Sequence, residues 1–330
     1  MPRIPQFIDI NGKPIVRSGL RSLFQVEDVR RRLARIQGSD QLPLKNLYDR
    51  MIEEGPTKFD VKPTRMPLLD ELEAEVPNFS EVIREIKRRL VLVLETNDPL
   101  DLDPILLFGP PGIGKTHFGR KVAELLGTGF GFIPMSSTTA GWVLSGASSQ
   151  WKGARPGKVF QTLFDHDYIN PVMMIDEIDK ARGDQAYDPL GALYTLLEKD
   201  TAAHFADEFV EVPIDASRIV WFATANDEGN IPAPILSRFA PFKIGLTRDQ
   251  ARSIADGVYR SFISGYDWGK QFDPNPSTDV LDVAARSVPR QMRKDMRWAF
   301  GSAKLDKRSV LLPRDFPPPG DRRNSMGFVR

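Results

Sequence analysis

Short apolar runs alternate with amphipathic stretches through the middle of the chain. Each run has only four or five residues and is bounded by polar residues, glycine or proline, a pattern typical of buried parallel strands. The runs lie at 105–108, 131–135, 172–175 and 219–223. Helical patterns separate them; one begins at Ser80 and has its apolar residues at Val82, Ile83, Ile86, Leu90 and Leu94. The alternation predicts an α/β fold with a parallel sheet and right-handed crossovers.

The pattern changes on both sides of this region. After about residue 248 the strand-like runs cease, and residues 248–264 and 278–304 have helical periodicity. Residues 1–65 are rich in proline, arginine and glycine, with one helix predicted near Glu27 and a linker marked by prolines. We therefore predict four parts: a mostly helical basic extension (1–65), a large α/β domain (66–247), a small all-α domain (248–312) and a disordered tail (313–330).

Charge is distributed unevenly along the chain. The 330 residues carry 45 basic and 44 acidic side chains, so the net charge of +1 argues against a strongly basic nucleic-acid binder. Residues 66–285, however, hold 20 basic and 32 acidic side chains, whereas residues 286–330 hold 12 and 4. Residues 1–65 hold 13 and 8. The two basic ends are therefore where a separate partner protein, or less favourably a nucleic acid, would dock.

The composition excludes several kinds of chemistry. Cysteine is absent, which rules out disulfides, thiolate metal sites and cysteine nucleophiles. The three histidines, His117, His166 and His204, do not have the spacing of metal ligands. No apolar run approaches the roughly 18 residues that span a bilayer, and the first residues lack the apolar stretch of a secretory signal. We expect a cytoplasmic protein with no membrane partner.

One glycine-rich segment indicates phosphate binding. Residues 109–116 have the sequence GPPGIGKT, which fits G-x-x-x-x-G-K-[ST], and they lie between a predicted strand and a predicted helix at 116–126. Glycines in this pattern let backbone N–H groups surround phosphate oxygens at a helix N-terminus. Lys115 is then predicted to reach the β- and γ-phosphates of ATP, and Thr116 to ligate Mg²⁺.

A second strand supplies the carboxylates that a nucleotide site needs. The run at 172–175 is followed directly by Asp176 and Glu177. Asp176 is predicted to hold Mg²⁺, directly or through water, and Glu177 to polarise the attacking water as general base. Taken alone, an aspartate at a strand end could equally cap a helix, so this prediction depends on the glycine-rich segment.

In their order and spacing these motifs resemble those of the AAA+ ATPases, and within them the ATPase module of Lon-type proteases. The resemblance extends over roughly residues 66–305. The segments that carry it are GPPGIGKT at 109–116, QWKGARPGKVFQTL at 150–163, MMIDEIDK at 173–180, FATANDEGNIPAPILSRF at 222–239 and SVPRQMRK at 287–294. It implies a P-loop fold with a small helical lid, ATP or ADP with Mg²⁺ as ligands, and ATP hydrolysis.

The resemblance also assigns roles to single residues. Asn226 matches the sensor-1 residue that orients water against the γ-phosphate, and Arg238 matches the arginine finger donated to the neighbouring subunit. Arg290 matches the sensor-2 arginine, and Phe79 lies where the family lines its adenine pocket. The residues with implied catalytic roles are Lys115, Glu177, Asn226, Arg238 and Arg290. Those with implied ATP contacts are Phe79, Gly109, Pro110, Pro111, Gly112, Ile113, Gly114, Lys115, Thr116, His117, Asp176 and Arg290.

Each of these residues has an ordinary structural alternative. Asn226 could cap a turn, and Arg238 could pair with a surface carboxylate. Arg290 could be one more solvated charge in a basic helix, and Phe79 could belong to the core. An arginine finger acts in trans, so its presence would require a homo-oligomer, and the family implies a hexameric ring or spiral.

Lon-like rings grip an extended polypeptide with an aromatic loop in the pore. The matching residues here are Trp151 and Lys152, with a second loop predicted near Phe205. Tryptophan suits this task because its large amphipathic surface can wedge between substrate side chains without reading their sequence. Trp151 could instead pack into its own subunit, and Trp142 is a competing candidate in the same loop.

The chain departs from the Lon pattern in two places. Residues 136–149 are rich in serine and threonine and uncharged, where Lon proteases are strongly charged, and nothing after the small domain resembles a peptidase domain. We therefore predict an ATP-driven unfoldase or chaperone-like remodeller of protein clients that is not itself a protease. The alternatives are a nucleic-acid-associated ATPase, such as a loader or remodeller on DNA, and a nucleotide-dependent switch or scaffold.

Overall fold

The computed structural model describes residues 16–36, 41–137, 142–151, 153–181 and 188–318. The strands are β1 (Val16–Ser22), β2 (Thr57–Pro63), β3 (Ile105–Phe108), β4 (Phe130–Pro134), β5 (Val172–Asp176), β6 (Phe205–Ala206), β7 (Pro213–Ile214), β8 (Val220–Ala225) and β9 (Ala240–Lys243). The α-helices are α1 (Val26–Leu33), α2 (Leu42–Glu54), α3 (Leu69–Glu75), α4 (Ser80–Val93), α5 (Lys115–Leu126), α6 (Trp142–Ser145), α7 (Lys158–Asp165), α8 (Leu193–Leu196), α9 (Lys199–Ala202), α10 (Ala233–Leu236), α11 (Arg248–Gly265), α12 (Thr278–Ala284) and α13 (Pro289–Leu305).

A five-stranded parallel sheet organises the middle of the chain. Its strand order is β4-β5-β8-β3-β9. Every residue of β3 and β8 is buried, as expected for a sheet covered on both faces. The predicted α/β class and P-loop fold are confirmed. The edge strand β9 was not predicted, because its sequence Ala-Pro-Phe-Lys has neither a continuous apolar run nor β-branched residues.

The contacts divide the chain into two compact units, at places other than the predicted domain boundaries. The first unit comprises the described residues of 1–69, 81–109 and 115–244, and the second those of 70–80, 110–114 and 245–330. The short segments 70–80 and 110–114, which precede α4 and α5, therefore group with the C-terminal helices. Sequence periodicity cannot detect such a division, because it depends on contacts between residues distant in the chain.

The described N-terminal residues are part of the first unit and do not form a linker. β1 pairs with β2 in an antiparallel ladder, and two helices, α1 and α2, lie between these strands where one was predicted. Apolar residues of α1, of α2 and of the segment before α1 belong to the main core of the unit: Leu23, Phe24, Val29, Leu44, Tyr48 and Met51. The prediction of an extension was wrong for residues 16–63 because high arginine and proline content does not reveal how many apolar side chains become buried.

Two buried lysines of β2 attach the two-stranded sheet of β1 and β2 to helices of the same unit. Lys58 donates through Nζ to the carbonyls of Phe164 and His166, at the end of α7, at 2.6 and 2.8 Å. Lys62 donates to the carbonyls of Val93, Thr96 and Asp98, at and beyond the end of α4. Helix C-termini present unpaired carbonyls and partial negative charge, so an ammonium group stabilises both ends. Burial lowers the pKa of Lys58.

The second unit is built from α11, α12 and α13 around an aromatic core. Tyr259, Phe262 and Phe300 are buried there, with ring centroids of Phe262 and Phe300 5.6 Å apart. Thr247 caps α11 through a reciprocal bond pair with Gln250. Residues 313–318, which were assigned to a disordered tail, continue this unit: Phe316 is buried among its apolar side chains.

An ion pair explains why the chain remains packed beyond α13. Asp315 lies in a 3₁₀ turn at Pro313–Asp315 and pairs with Arg308 at 2.6 Å, with its side chain only 3% exposed. The run of prolines that predicted disorder begins one residue after Phe316. The remainder of the predicted tail, residues 319–330, lies outside the described residues.

Candidate nucleotide site

Three neighbouring strands end where the predicted phosphate-binding and carboxylate residues begin. β8 pairs with β5 on one side and β3 on the other. The glycine-rich segment follows β3, Asp176 ends β5, and Asn226 follows β8. In open parallel sheets, ligands bind outside the carboxyl ends of the strands. The sheet order thus brings residues more than a hundred positions apart to one edge.

Lys115 and Asn226 are in direct contact. The Lys115 ammonium group, which is largely buried, donates to the Asn226 Oδ1 atom at 3.0 Å and also to the carbonyl of Gly109. Lys115 is the first residue of α5, and Asn226 lies just beyond the buried strand β8. Both were predicted from sequence, and the structure places them together at one point of the sheet edge.

Thr116 and Asp176 form the second contact. The Thr116 hydroxyl donates to the Asp176 Oδ1 atom at 3.0 Å. Hydroxyl and carboxylate oxygens are the ligands that Mg²⁺ prefers, and the two groups are close enough to bind one ion. Within the described ranges no group of three or more histidine, aspartate or glutamate side chains is arranged to hold a metal ion alone. The pair fits a Mg²⁺ that takes its other ligands from phosphate and water.

Glycines shape the segment between β3 and α5. A Cβ atom on Gly109 would lie 2.3 Å from the carbonyl oxygen of Ile244, so only glycine fits there. Gly112 and Gly114 have φ angles of 80° and 108°, in the left-handed region that side chains disfavour. His117 lies in the first turn of α5, where its side chain is exposed.

Glu177, the predicted general base, begins a sharp turn after β5. Its φ and ψ angles are 57° and 51°, a left-handed conformation that is rare for residues other than glycine. Strained backbone of this kind clusters at functional sites. Asp179, two residues later, is buried and accepts the backbone N–H of Asp227 at 3.2 Å. That bond holds the turn of β5 beside the residue that follows Asn226.

The second unit supplies its own set of predicted residues. Phe79 is fully buried, and one of its ring carbons would lie 3.7 Å from a Cβ on Gly114. The backbone N–H of Arg290 donates to the carbonyl of Gly112 at 3.1 Å, which joins the start of α13 to residues 110–114 of the same unit. Sequence reasoning missed Asn78, which is buried and donates to the carbonyl of Ile113 at 3.4 Å.

Arg238, the predicted arginine finger, is held by two contacts within the chain. Its guanidinium pairs with Glu198 at 2.8 Å and lies 5.7 Å from the ring centroid of Tyr194. The side chain is 24% exposed, and that of Glu198 is 52% exposed. The predicted alternative, a pair with a surface carboxylate, is therefore present in the chain. A partly exposed ion pair of this kind contributes little to stability.

The predicted pore-loop residues have different environments. Trp151 lies between α6 and α7 with half of its surface exposed, whereas the ring of Trp142 lies 5.5 Å from the guanidinium of Arg155. Lys152 lies outside the described residues. The prediction for Phe205 was wrong: its side chain is only 4% exposed, in β6, and belongs to the main core. It pairs with Ile214 of β7, whose side chain is also buried.

Asp207, in the turn between β6 and β7, is a buried carboxylate that sequence reasoning did not identify. It accepts the backbone N–H of Gly157 at 2.7 Å and those of Phe209 and Val210 at 2.9 and 3.1 Å. Burial raises its pKa to about 6, although these donors favour the charged form. Asp207 thereby joins the turn to the end of the segment that carries Trp151.

The site corresponds to a known class of ATPase. Residues 105–244 match the profile of the "ATPase family associated with various cellular activities (AAA)". Together with the P-loop fold and the clustered motif residues, this match identifies an AAA-type ATPase domain over residues 105–244.

Lon proteases are among the curated relatives of this chain. Lon protease 2 of Herpetosiphon aurantiacus is 34% identical over 206 residues, which are 62% of this chain and 24% of the relative. Lon protease 1 of Thermus thermophilus is 32% identical over 213 residues, 64% of this chain and 26% of the relative. The similarity to the Lon ATPase module is confirmed, and the matched region spans about a quarter of these relatives.

Solved structures share the fold at low sequence identity. A closed-state reconstruction of Hsp104 with ATPγS and FITC casein has a TM-score of 0.57 and 16% identity, and covers 75% of this chain and 51% of that one. A mutant of Thermotoga maritima RuvB has a TM-score of 0.51 and 16% identity, covering 72% and 67%. At this identity the likeness establishes the fold alone. Over the described ranges, no helix is both long and apolar enough to cross a membrane.

Proposed function

We propose that this chain hydrolyses ATP and uses the energy to unfold, thread or remodel protein substrates. The observation that carries the first half is the pair of contacts at the sheet edge, Lys115 with Asn226 and Thr116 with Asp176. These residues lie on three different segments, and each has the chemistry that phosphoryl transfer from ATP to water requires. Their convergence would be unnecessary in a protein that merely shared the fold.

The residues divide the work of hydrolysis as follows. Backbone N–H groups of Gly112, Ile113 and Gly114 and the N-terminus of α5 bind phosphate oxygens, and Lys115 adds a positive charge. Glu177 accepts the proton of the attacking water, which Asn226 orients. Thr116 and Asp176 would hold Mg²⁺, which when bound neutralises charge on the phosphate oxygens. Arg290 is proposed as the sensor-2 arginine.

We further propose that the chain works as a homo-oligomer, a hexameric ring or spiral. Support comes from Arg238, whose partly exposed guanidinium faces an exposed carboxylate that it can leave. A planar guanidinium suits the stabilisation of charge on a transferred phosphoryl group of a neighbouring subunit. The Lon proteases, which the chain resembles in sequence over its ATPase region, make protein clients the substrate class that we favour. A cytoplasmic location is still our expectation from composition.

Trp151 is the residue that we propose to contact the substrate. Half of the Trp151 surface is exposed. Its indole ring combines a large apolar surface with one hydrogen-bond donor. Such a surface can hold polypeptides of varied sequence. Because Phe205 is buried in the core, we no longer assign it a substrate contact.

Glu177→Gln tests the hydrolytic site. The variant should bind ATP as the native protein does, because the glutamine is isosteric, but its turnover should fall by at least about a hundredfold, since a general base contributes roughly 10²–10⁴ in rate. Nucleotide binding is measured by fluorescence of an ATP analogue, and turnover by phosphate release. Glu228→Gln, at an exposed turn residue, serves as the matched control. Full turnover by Glu177→Gln would refute the site.

Trp151→Ala tests the motor. It should keep its affinity for ATP yet slow the unfolding of a tagged fluorescent test protein. Trp298→Ala is the matched control, because Trp298 is exposed to a similar extent, 54%, but lies on α13. Equal effects of both variants on unfolding, or no effect of either, would contradict the proposed role of Trp151.

Binding of a nucleic acid is the second candidate, and one surface favours it. The exposed face of α13 carries Lys294, Arg297 and Lys304 beside Trp298. Cations next to an exposed aromatic ring are the elements with which proteins bind single strands. If single-stranded DNA rather than unfolded protein stimulates hydrolysis, with a steep dependence on salt, this candidate replaces protein remodelling. A separate protein docking on the basic ends would leave hydrolysis insensitive to DNA.

A further inference from the structure

The hydroxyl of Thr224 connects the two acidic residues of the candidate site. Thr224 lies in β8, two residues before Asn226, and is only 1% exposed. Its Oγ1 atom accepts the backbone N–H of Glu177 at 2.8 Å and donates to the Asp176 Oδ1 atom at 2.8 Å. One side chain therefore contacts both the carboxylate assigned to Mg²⁺ and the backbone of the assigned general base.

In these two hydrogen bonds the Thr224 hydroxyl acts once as an acceptor and once as a donor. A threonine hydroxyl has one O–H donor and accepts through its lone pairs, and here the donor is committed to Asp176. The same Oδ1 atom of Asp176 also accepts the hydroxyl of Thr116 at 3.0 Å. Two hydroxyls from different segments thus meet at one carboxylate oxygen. Together these two hydrogen bonds restrict rotation of the Asp176 carboxylate about its Cβ–Cγ bond.

The bond to Glu177 acts at a point of backbone strain. Glu177 has a left-handed conformation, which places the side chain of an L-residue too close to its own carbonyl. The conformation is unfavourable unless surrounding contacts hold it. A buried acceptor for the N–H of Glu177 is such a contact. This hydrogen bond sets the direction in which the chain leaves β5, and thereby the position of the Glu177 backbone that carries the carboxylate side chain.

We propose that Thr224 is a positioning residue that orients Asp176 toward the metal and Glu177 toward the water. This inference rests on the proposed ATPase function and adds a residue to it. Threonine is required for its hydroxyl rather than its volume. Valine has the same shape without the hydroxyl, and serine keeps the hydroxyl without the methyl group, so the two substitutions separate these properties.

The experiment compares the native protein with Thr224→Val and Thr224→Ser. Binding of a fluorescent ATP analogue is measured first in EDTA and then with increasing MgCl₂, which gives an Mg²⁺ midpoint that does not depend on turnover. Thr224→Val should raise that midpoint by about tenfold or more and lower kcat by about 10–100-fold, the range found when outer-shell partners of metal ligands are removed. Its affinity for the analogue in EDTA should stay within about twofold, because Thr224 is not placed against the nucleotide.

Serine should restore most of what valine removes. We expect Thr224→Ser to have an Mg²⁺ midpoint and kcat within about threefold of native. If Thr224→Val does not fold, as judged by circular dichroism, Thr224→Ala takes its place, since small residues already flank it at Ala223 and Ala225. The same loss is expected for Thr224→Ala.

Two results would overturn the inference while leaving the proposed function intact. One is a valine or alanine variant with native Mg²⁺ midpoint and kcat. The other is a serine variant as impaired as the valine variant, which would assign the effect to packing. A native protein without Mg²⁺-dependent nucleotide binding would instead refute the proposed function, and this inference with it.

Discussion

Ionisation of the Asp207 carboxylate should destabilise the protein as the pH rises. The carboxylate is fully buried, and burial raises its pKa from 3.8 to about 6 despite three backbone N–H donors. Between these two values the native state holds a proton that the unfolded state has lost. The free energy of unfolding therefore falls as the pH increases across this interval. Each pKa unit corresponds to about 1.4 kcal/mol, so the full effect is about 3 kcal/mol, complete near pH 7.

The assay is urea unfolding of the native protein and Asp207→Asn at several pH values between about 4 and 7. Asparagine stays neutral throughout, so the difference in free energy of unfolding between the two should shift by about 3 kcal/mol in favour of the variant as the pH rises. Asp200→Asn, at an exposed position in α9, controls for the loss of one negative charge.

A constant difference between Asp207→Asn and native would refute this reasoning. It would mean that the three N–H donors offset the cost of burial, so that the pKa is the same in the folded and unfolded states. A shift of the opposite sign would mean that the donors outweigh burial and that the pKa is lowered.

Further substitutions, two of them controls, test three other parts of the structure. Lys62→Met should lower the free energy of unfolding by about 3 kcal/mol, because three carbonyl oxygens lose a buried charged donor; a loss below about 0.5 kcal/mol would contradict the role of Lys62 at the end of α4. Gly109→Ala should lower thermal stability by about 1–3 kcal/mol, since its Cβ would lie 2.3 Å from a carbonyl oxygen, whereas Gly257→Ala, in open space on α11, should raise it slightly. Arg238→Ala should reduce kcat by about a thousandfold or more. Glu198→Gln, which removes the ion pair with Arg238, should leave the melting temperature almost unchanged. Equal kcat for Arg238→Ala and the native protein would remove the arginine finger from the mechanism.

The parts of the molecule that could be predicted share one property: their signal is local in sequence. The strands at 105–108 and 172–176 are short apolar runs between breakers, and GPPGIGKT places each glycine, the lysine and the threonine at fixed offsets. Burial of both faces of the sheet dictates the first pattern, and the geometry of a phosphate-binding loop dictates the second. Neither depends on which strands lie next to one another.

The N-terminal two-stranded sheet shows why composition can mislead. Lys58 and Lys62 contribute to a basic segment, yet both are buried with their ammonium groups on helix carbonyls. A lysine buried against a helix end has the same sequence signature as a solvated one. Only the positions of α4 and α7 relative to β2 decide between the two. The same is true of Phe205, whose aromatic ring would suit a substrate contact or a core equally well.

Thr224 lies between these cases. It is a polar residue in a strand whose other members are apolar, Val-Trp-Phe-Ala-Thr-Ala, and a polar residue buried on a central strand requires partners. That much could be inferred from the sequence. Its partners could not be inferred, because they are the last residue of β5 and the residue after it, and the adjacency of β5 and β8 is a property of strand order.

The sequence by itself therefore determined the class of the protein, the P-loop and the identity of the acidic and amide residues that follow the strands. The tertiary structure decided which of these residues touch, which cations are buried and which aromatic side chains remain exposed. The physical reason is that periodicity and turn chemistry act over a few residues, whereas strand order, helix-end contacts and burial depend on segments that can be more than a hundred residues apart. For this chain, the fold could be predicted from the first kind of information, and the assembled site required the second.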